Sequence, residues 1–239
     1  MRKEGFTLAE VLITLAIIGV IAALSIPQFT ADIYNKSNAS KLSTIVTNYE
    51  DVFGMMLLRQ DREDIFETDF GTALNSQNQP VDFSDTLSVY TKVAKVDSVS
   101  GNDISNLGYN NEILNIDGSD NTGTHALRYG VVTPEGSVLL FEQIKTNSGM
   151  NRRYSDVHID VNGSTQPNRY GRDVFTFVLA QDGHLYPYGS RQAAIELGQD
   201  ASQTWDNSTT NSAYRCTGDG YTGQGCTARL IENNYSVDY

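Results

Sequence analysis

An apolar run from Phe6 to Ile26 constrains the fold of this chain more than any other feature. Its only ionisable side chain is that of Glu10. A helix of ~20 residues rises 1.5 Å per residue and so matches a hydrocarbon core about 30 Å thick. A carboxylate in such a helix costs roughly 2.5–3.5 kcal/mol at mid-membrane and less near the interface. The run therefore predicts a membrane-spanning helix in which Glu10 needs a compensating partner.

The residues around the run leave two kinds of export signal to compare. Arg2 and Lys3 precede it, which favours a cytoplasmic N-terminus and an exported remainder. The same residues fit a conventional secretory signal, with Val11 to Leu24 as its apolar core and Ala23 and Ser25 at a small-x-small cleavage site. The alternative is a signal that is cut before the apolar run.

The order of residues at the start of the run favours cleavage before it. The charged leader ends in Gly5, and Phe6-Thr7-Leu8-Ala9-Glu10 follows at once. With Pro27 at the end of the unbroken apolar run, this segment resembles the N-terminus of the type IV pilin-like family, which comprises type IV pilins and the pseudopilins of type II secretion. The resemblance covers roughly residues 1–50 of the chain.

The resemblance implies a processing step and a role for Glu10. By it, a prepilin peptidase cuts between Gly5 and Phe6 and methylates the new amino group of Phe6. Pairing two buried opposite charges recovers much of their desolvation cost. If Glu10 of one subunit pairs with the Phe6 amine of a neighbour, the pair also sets the register, because a subunit out of step leaves both charges unpaired. The alternative is that Glu10 reaches the membrane interface and does nothing.

Periodic apolar residues extend the helix beyond the membrane run. Pro27 lacks an N–H and crowds the preceding turn, so it predicts a kinked or loosened helix there. Apolar residues then recur at intervals of three and four, which indicates a helix with one apolar side: Leu42, Ile45, Tyr49, Val52 and Met56. We predict three parts: a leader at 1–5, an N-terminal helix at 6–60 whose residues 6–26 are the transmembrane and assembly segment, and a globular head at 61–239.

The head carries clear β signals in its second half. Residues 126–133 and 137–144 flank Pro134-Glu135-Gly136, and residues 174–180 and 184–188 flank Gln181-Asp182-Gly183, so each pair predicts a hairpin. Further predictions are a strand at 157–161, a short helix at 192–197, an irregular stretch from 61 to 125 with an undecided helix or strand at 86–96, and a long surface connection at 101–123. The predicted fold class is α+β: a long N-terminal helix packed on an antiparallel sheet, with a C-terminal disulfide loop.

Two cysteines, Cys216 and Cys226, lie near the C-terminus. In an exported protein such a pair predicts a disulfide, which contributes roughly 3 kcal/mol by the chain-entropy model. A metal site is the rival interpretation, but no histidine lies near these residues in sequence, and two thiolates alone do not make a zinc site.

Charge and motifs exclude several classes of function. The chain has a net charge of −12, which repels phosphate backbones and disfavours nucleic acid as a partner. It contains no nucleophile motif and no phosphate-binding glycine loop. We interpret His125, His158 and His184, whose spacing fits no metal motif, as surface or strand-edge residues. The sequence thus predicts no enzyme.

The segment from Asp156 to Asp173 has two interpretations. Its Asp, Asn and Gly residues suit tight turns, because Asx side chains bond to their own backbone. The sharper interpretation is a calcium site built from oxygen ligands, although the segment fails the EF-hand pattern. Its candidate ligands are Asp156, Asp160, Asn162 and Asp173. No other cofactor is predicted.

We interpret the chain as a structural subunit of a type IV pilus or pseudopilus filament. The resemblance implies prepilin peptidase, other pilin or pseudopilin subunits and an inner-membrane assembly platform as partners. It implies a single pass through the bacterial inner membrane before assembly, and a periplasmic or extracellular filament afterwards. Major pilin, minor pilin and secretion pseudopilin are not distinguished. The alternative is a conventionally secreted or single-span binding protein that does not polymerise.

Overall fold

The computed structural model describes residues 5, 7–76, 79–109, 113–121, 123, 125–147, 149–207, 213–216 and 221–239. Two compact units divide the chain, residues 1–37 and residues 38–239, and each is described by itself below. The first helix, α1, covers Leu8–Gln60 and so contributes to both units. It continues as a helix through Pro27.

The described part of the first unit is the N-terminal portion of α1. Leu8–Ile26 is long and apolar enough to cross a membrane, and none of its residues is buried. Leu12, for example, is 59% exposed and Ile18 is 61% exposed. By length and composition, this segment agrees with the predicted span.

In the second unit, the later turns of α1 bury one side. The buried residues follow the helical period predicted from the sequence and include Leu42, Tyr49, Val52, Phe53 and Met56. Phe53 contacts the rings of Tyr49 and Phe70 at centroid distances of 6.1 and 5.2 Å. Such tilted ring pairs stabilise the core beyond what the burial of each aromatic side chain contributes.

An antiparallel sheet of seven strands forms the centre of this unit in the described part of the chain. Its order is β1-β2-β3-β5-β6-β7, with β4 paired to β5. The strands are β1 Lys95–Gly101, β2 Leu127–Val132, β3 Val138–Glu142, β4 Lys145–Asn147, β5 Arg152–Asp160, β6 Val174–Ala180 and β7 Leu185–Pro187. The predicted α+β fold class is confirmed.

Both predicted hairpins are present, as β2–β3 and β6–β7. Each turn has its glycine at positive φ, +88° for Gly136 and +83° for Gly183, where a residue with a Cβ is strained. The other helices are α2 Asp69–Asn75, α3 Pro80–Ser88, α4 Arg191–Glu196 and α5 Cys226–Glu232. The irregular stretch predicted at 61–125 was therefore wrong in part, because α2, α3 and β1 lie within it.

Both faces of the sheet are covered. Side chains alternate along a strand, so Leu139 and Phe141 of β3 join the core that contains α1, whereas Leu140 joins a second core. That second core includes Ile104, Leu107, Tyr109 and Ile113 from the stretch between β1 and β2. The prediction of a surface connection at 101–123 was wrong for these residues, which cover the second face of the sheet.

Candidate functional site

The first turn of α1 supplies Glu10 with a partner from its own chain. The backbone N–H and the hydroxyl of Thr7 donate to Glu10 Oε2 at 2.8 and 2.7 Å, and the N–H of Glu10 donates to Thr7 Oγ1 at 3.3 Å. This reciprocal arrangement is a capping box, which satisfies N–H groups that have no intrahelical acceptor at the start of a helix. The signal is present in the sequence as Thr-x-x-Glu, but this capping box was not among the predictions.

The predicted processing site is described only in part. Gly5 is exposed, and a Cβ built on it meets no atom within 4 Å. Phe6, the predicted new N-terminus and methylation site, lies outside the described residues, as do the basic residues of the leader. The predicted roles of Gly5, Phe6, Glu10 and Pro27 in cleavage and assembly remain predictions.

A second feature is a buried polar cluster in the head, on the sheet face away from α1. Glu142, at the end of β3, accepts from three side chains. His125 Nδ1 and His158 Nε2 lie 2.9 and 3.1 Å from Glu142 Oε1, and Lys145 Nζ lies 2.6 Å from Oε2. Lys145 also donates to Asp156 Oδ2 at 2.7 Å. The cluster therefore joins residues from β3, β4 and β5 and the segment before β2.

The charges in this cluster shift one another's protonation. Burial disfavours ionisation of Glu142, but hydrogen bonds from His125 and His158 and the charge of Lys145 outweigh it and hold the pKa of the carboxyl well below its ordinary value. Burial lowers the pKa of His158, and burial raises the pKa of Asp156. Burial also disfavours the ammonium of Lys145, but Asp156 and Glu142 raise its pKa above the ordinary value. Glu142 and Lys145 are thus held as an ion pair.

The interpretation of the histidines as surface or edge residues was wrong for His158, which is buried within β5. It was correct for His184, whose side chain is 60% exposed and lies 3.4 Å from Glu50. His125, with a side chain 15% exposed, belongs with His158. Their rings meet edge to face at 4.8 Å. No sequence pattern indicates this pair, because the two residues meet only once the sheet has brought β5 next to the segment before β2.

The four candidate calcium ligands divide into two places. Asp160 accepts from Tyr109 Oη at 2.7 Å, and Asp173 accepts from the N–H groups of Asn168 and Arg169 at 3.0 and 2.7 Å. Burial, together with the negative charge of Asp173, raises the pKa of Asp160 well above its ordinary value.

Asn162 lies beside Asp173, with which its side chain forms a hydrogen bond. Asp156 is four residues from Asp160 along β5, which is about 13 Å of strand, and it pairs with Lys145. The structure thus brings Asp160, Asn162 and Asp173 together without Asp156. Calcium binding stays a prediction.

The predicted disulfide is present between Cys216 and Cys226, and both cysteines are buried. Cys226 is the first residue of α5, so the bond ties this helix to the segment that precedes it.

Comparison with known proteins identifies the N-terminal segment. Residues 1–26 match the model of the prokaryotic N-terminal methylation motif. This motif is the prepilin-type signal of type IV pilins and pseudopilins. No solved structure matches the chain. The match covers the leader and the membrane segment, so it confirms the resemblance on which the sequence analysis depended.

Proposed function

We propose that this chain, whose N-terminus carries the prepilin-type signal, is a structural subunit of a type IV pilus or pseudopilus filament. The observation that carries the proposal is the apolar segment Leu8–Ile26, which lies within the matched signal, directly after the leader, and of which no residue is buried by its own chain. An apolar surface of this extent needs lipid or other apolar helices around it. A filament subunit uses both in turn, lipid before assembly and neighbouring helices afterwards.

Processing follows from the position of the signal. Prepilin peptidase cuts after Gly5 and methylates the amine of Phe6, which leaves the apolar segment on the mature protein. A conventional signal peptidase would remove that segment instead. The mature chain then stays in the inner membrane, with its N-terminus on the cytoplasmic side, until the assembly platform adds it to a filament with other pilin or pseudopilin subunits.

Glu10 has two roles in this proposal. Within one chain, both bonds from Thr7 go to Oε2, which stabilises the first turn of α1 before assembly. In the filament, the same carboxylate receives the methylated Phe6 amine of a neighbour and so fixes the register. Because both groups are then surrounded by apolar helices, loss of either charge leaves the other buried and unpaired, which is strongly unfavourable.

N-terminal sequencing of the mature protein from the native host tests the processing step. We expect the mature chain to begin with N-methylated Phe6. A mature chain that begins at Ile26 would establish a conventional secretory signal and overturn the proposal.

Replacement of Glu10 tests assembly. We expect Glu10→Ala to insert into the membrane and to be processed, but to reduce the yield of sheared filaments at least tenfold. Glu63→Ala is the matched control, because Glu63 is an exposed head residue, and it should assemble normally. Wild-type filament yield from Glu10→Ala would favour a single-span anchor that does not polymerise.

A further inference from the structure

Three side chains of types that can bind a metal ion converge in the head. The ligand atoms of His125, Glu142 and His158 lie within 4.8 Å of one another. Antiparallel pairing of β3 with β5 places Leu140 opposite His158, and Glu142 follows two residues later on the same face. His125 reaches the same point from the residues just before β2. The convergence therefore depends on the sheet and not on one flexible loop.

We propose that this cluster binds one zinc ion, with His125 Nδ1, His158 Nε2 and Glu142 Oε1 as its protein ligands. Imidazole nitrogen and carboxylate oxygen are both zinc ligands, at about 2.0–2.2 Å from the metal. Two ligand atoms of a tetrahedral site then lie roughly 3.3 Å apart. The two contacts with Glu142 Oε1 are 2.9 and 3.1 Å. To accommodate the ion, these two contacts would widen by a few tenths of an ångström, and the two ring nitrogens, which lie within 4.8 Å of each other, would close to a similar separation.

Each ligand has a second partner that orients it. His158 Nδ1 lies 3.0 Å from Thr176 Oγ1, and His125 Nε2 lies 3.3 Å from the hydroxyl of Tyr170. Lys145 holds the other oxygen of Glu142. Zinc-bound histidines commonly use their second ring nitrogen in such a bond, because it sets the tautomer and the orientation of the ring.

A small cavity of about 10 Å³ lies against both rings and is lined in part by Asn102, Asn121 and Tyr170. A volume of this size holds about one water molecule where polar groups line it. A zinc site with three protein ligands takes water as its fourth ligand. A water molecule in this cavity would lie beside both rings, with Asn102 and Asn121 as hydrogen-bonding neighbours and with Ile104, Ile113 and Leu127 as apolar ones.

The charge of the cluster also favours a cation. Apart from the two histidines, the cluster sets two carboxylates, Glu142 and Asp156, against one ammonium, that of Lys145. Among the described residues, the buried Oδ1 of Asp156 has no hydrogen-bond partner. A divalent ion would change the sum to +1, and Lys145, whose side chain is 30% exposed, would carry that charge next to water.

Protons on the ring nitrogens compete with the ion. The N–H of Gly123 donates to Asn121 Oδ1 at 2.9 Å, so the amide nitrogen of Asn121 faces His125 Nε2 at 3.1 Å. That contact places the proton of His125 on Nδ1, where it points at Glu142. Zinc at Nδ1 requires the proton on Nε2 instead, with the oxygen of Tyr170 accepting it. Asn121 therefore opposes zinc, and Asn121→Asp should favour it, because a carboxylate accepts from both Gly123 and His125.

Metal analysis of the full-length protein in detergent tests this proposal. The protein is stripped with a chelator, exposed to zinc and dialysed against buffer. We expect about one zinc per chain, and cobalt in its place should give the visible absorption of a tetrahedral site. His125→Asn and Glu142→Gln should weaken zinc binding about tenfold or more, Asn121→Asp should strengthen it, and His184→Ala should leave it unchanged. Calcium and magnesium should not compete, because these ions prefer oxygen ligands.

Two results would overturn the proposal. One is less than about a tenth of a zinc per chain in the wild type and in Asn121→Asp. The other is zinc uptake that Glu142→Gln and His125→Asn leave at the wild-type level. In either case, the cluster is a buried hydrogen-bond network alone. Circular dichroism of each variant confirms that it is folded, and Asn121→Asp gives an expected gain that unfolding cannot imitate.

Discussion

Leu12 and Leu42 lie on the same helix and have opposite surroundings. Leu12 is 59% exposed, whereas Leu42 is fully buried. The difference follows from the sequence around each residue. Leu12 belongs to a segment that is apolar on every side, and the folded chain buries none of its residues. Leu42 belongs to an apolar stripe with polar residues on the opposite face, which the head buries. The first pattern needs a partner from outside the chain, and the second finds its partner inside.

Two carboxylates show the same contrast between near and distant partners. Glu10 is satisfied by Thr7, three residues away, within one turn of helix. Glu142 is satisfied by His125, Lys145 and His158, which come from three other segments of the fold. Local bonds of the first kind form with the helix alone. Bonds of the second kind need the complete sheet, so they report on the packing of the head.

The largest expected effect is a difference in the free energy of unfolding between substitutions in the two parts of α1. Phe53→Ala should lower the free energy of unfolding by about 3–5 kcal/mol, because it removes a buried ring and leaves a cavity beside Tyr49 and Phe70. Leu12→Ala should change that free energy by less than about 0.5 kcal/mol, because Leu12 is exposed. Chemical denaturation in detergent measures both, and equal losses in the two variants would contradict the contrast between the two segments.

The next effect concerns the C-terminal part of the head. Replacing both Cys216 and Cys226 by serine should lower the free energy of unfolding by roughly 3 kcal/mol, since the disulfide restricts the unfolded chain. Thermal unfolding with and without reductant checks this in the wild type. Membrane insertion should stay unchanged, because the signal and the apolar segment lie at the other end of the sequence. An unchanged melting temperature after complete reduction would show that the bond does not stabilise the head.

Features that depend on neighbours in sequence could be predicted, and features that depend on strand order could not. The apolar stripe of α1 and the turns at Gly136 and Gly183 need only a local pattern, and each is found in the structure. Helices α2 and α3 are each too short to show a clear period. The cluster around Glu142 depends on the register of β3 against β5, which local patterns in a single sequence do not reveal.

The same reasoning explains the divided calcium ligands. Asp156 and Asp160 share one face of β5, as alternation requires, but they became candidates for a common site because both supply oxygen ligands within one short segment. Distance along the strand separates them, and Asp156 forms an ion pair with Lys145 on the neighbouring β4. A prediction from residue type and spacing cannot include that competitor. The charge of Asp173, at the end of the segment that joins β5 to β6, acts on Asp160 instead.

The smallest expected effect tests whether Glu10 depends on its local partner. Thr7→Ala removes the hydroxyl that donates to Glu10 Oε2 and accepts from the N–H of Glu10, while the backbone bond from residue 7 remains. Loss of such a cap costs about 1 kcal/mol, so hydrogen exchange at the Glu10 amide should accelerate about fivefold. Thr7→Ser keeps the hydroxyl and should exchange at the wild-type rate. The unfolding of the head should be the same in all three proteins, since Thr7 lies in the other unit. If the Glu10 amide of Thr7→Ala exchanges no faster, the capping box does not stabilise the first turn. The protection of that amide must then come from its surroundings in the membrane.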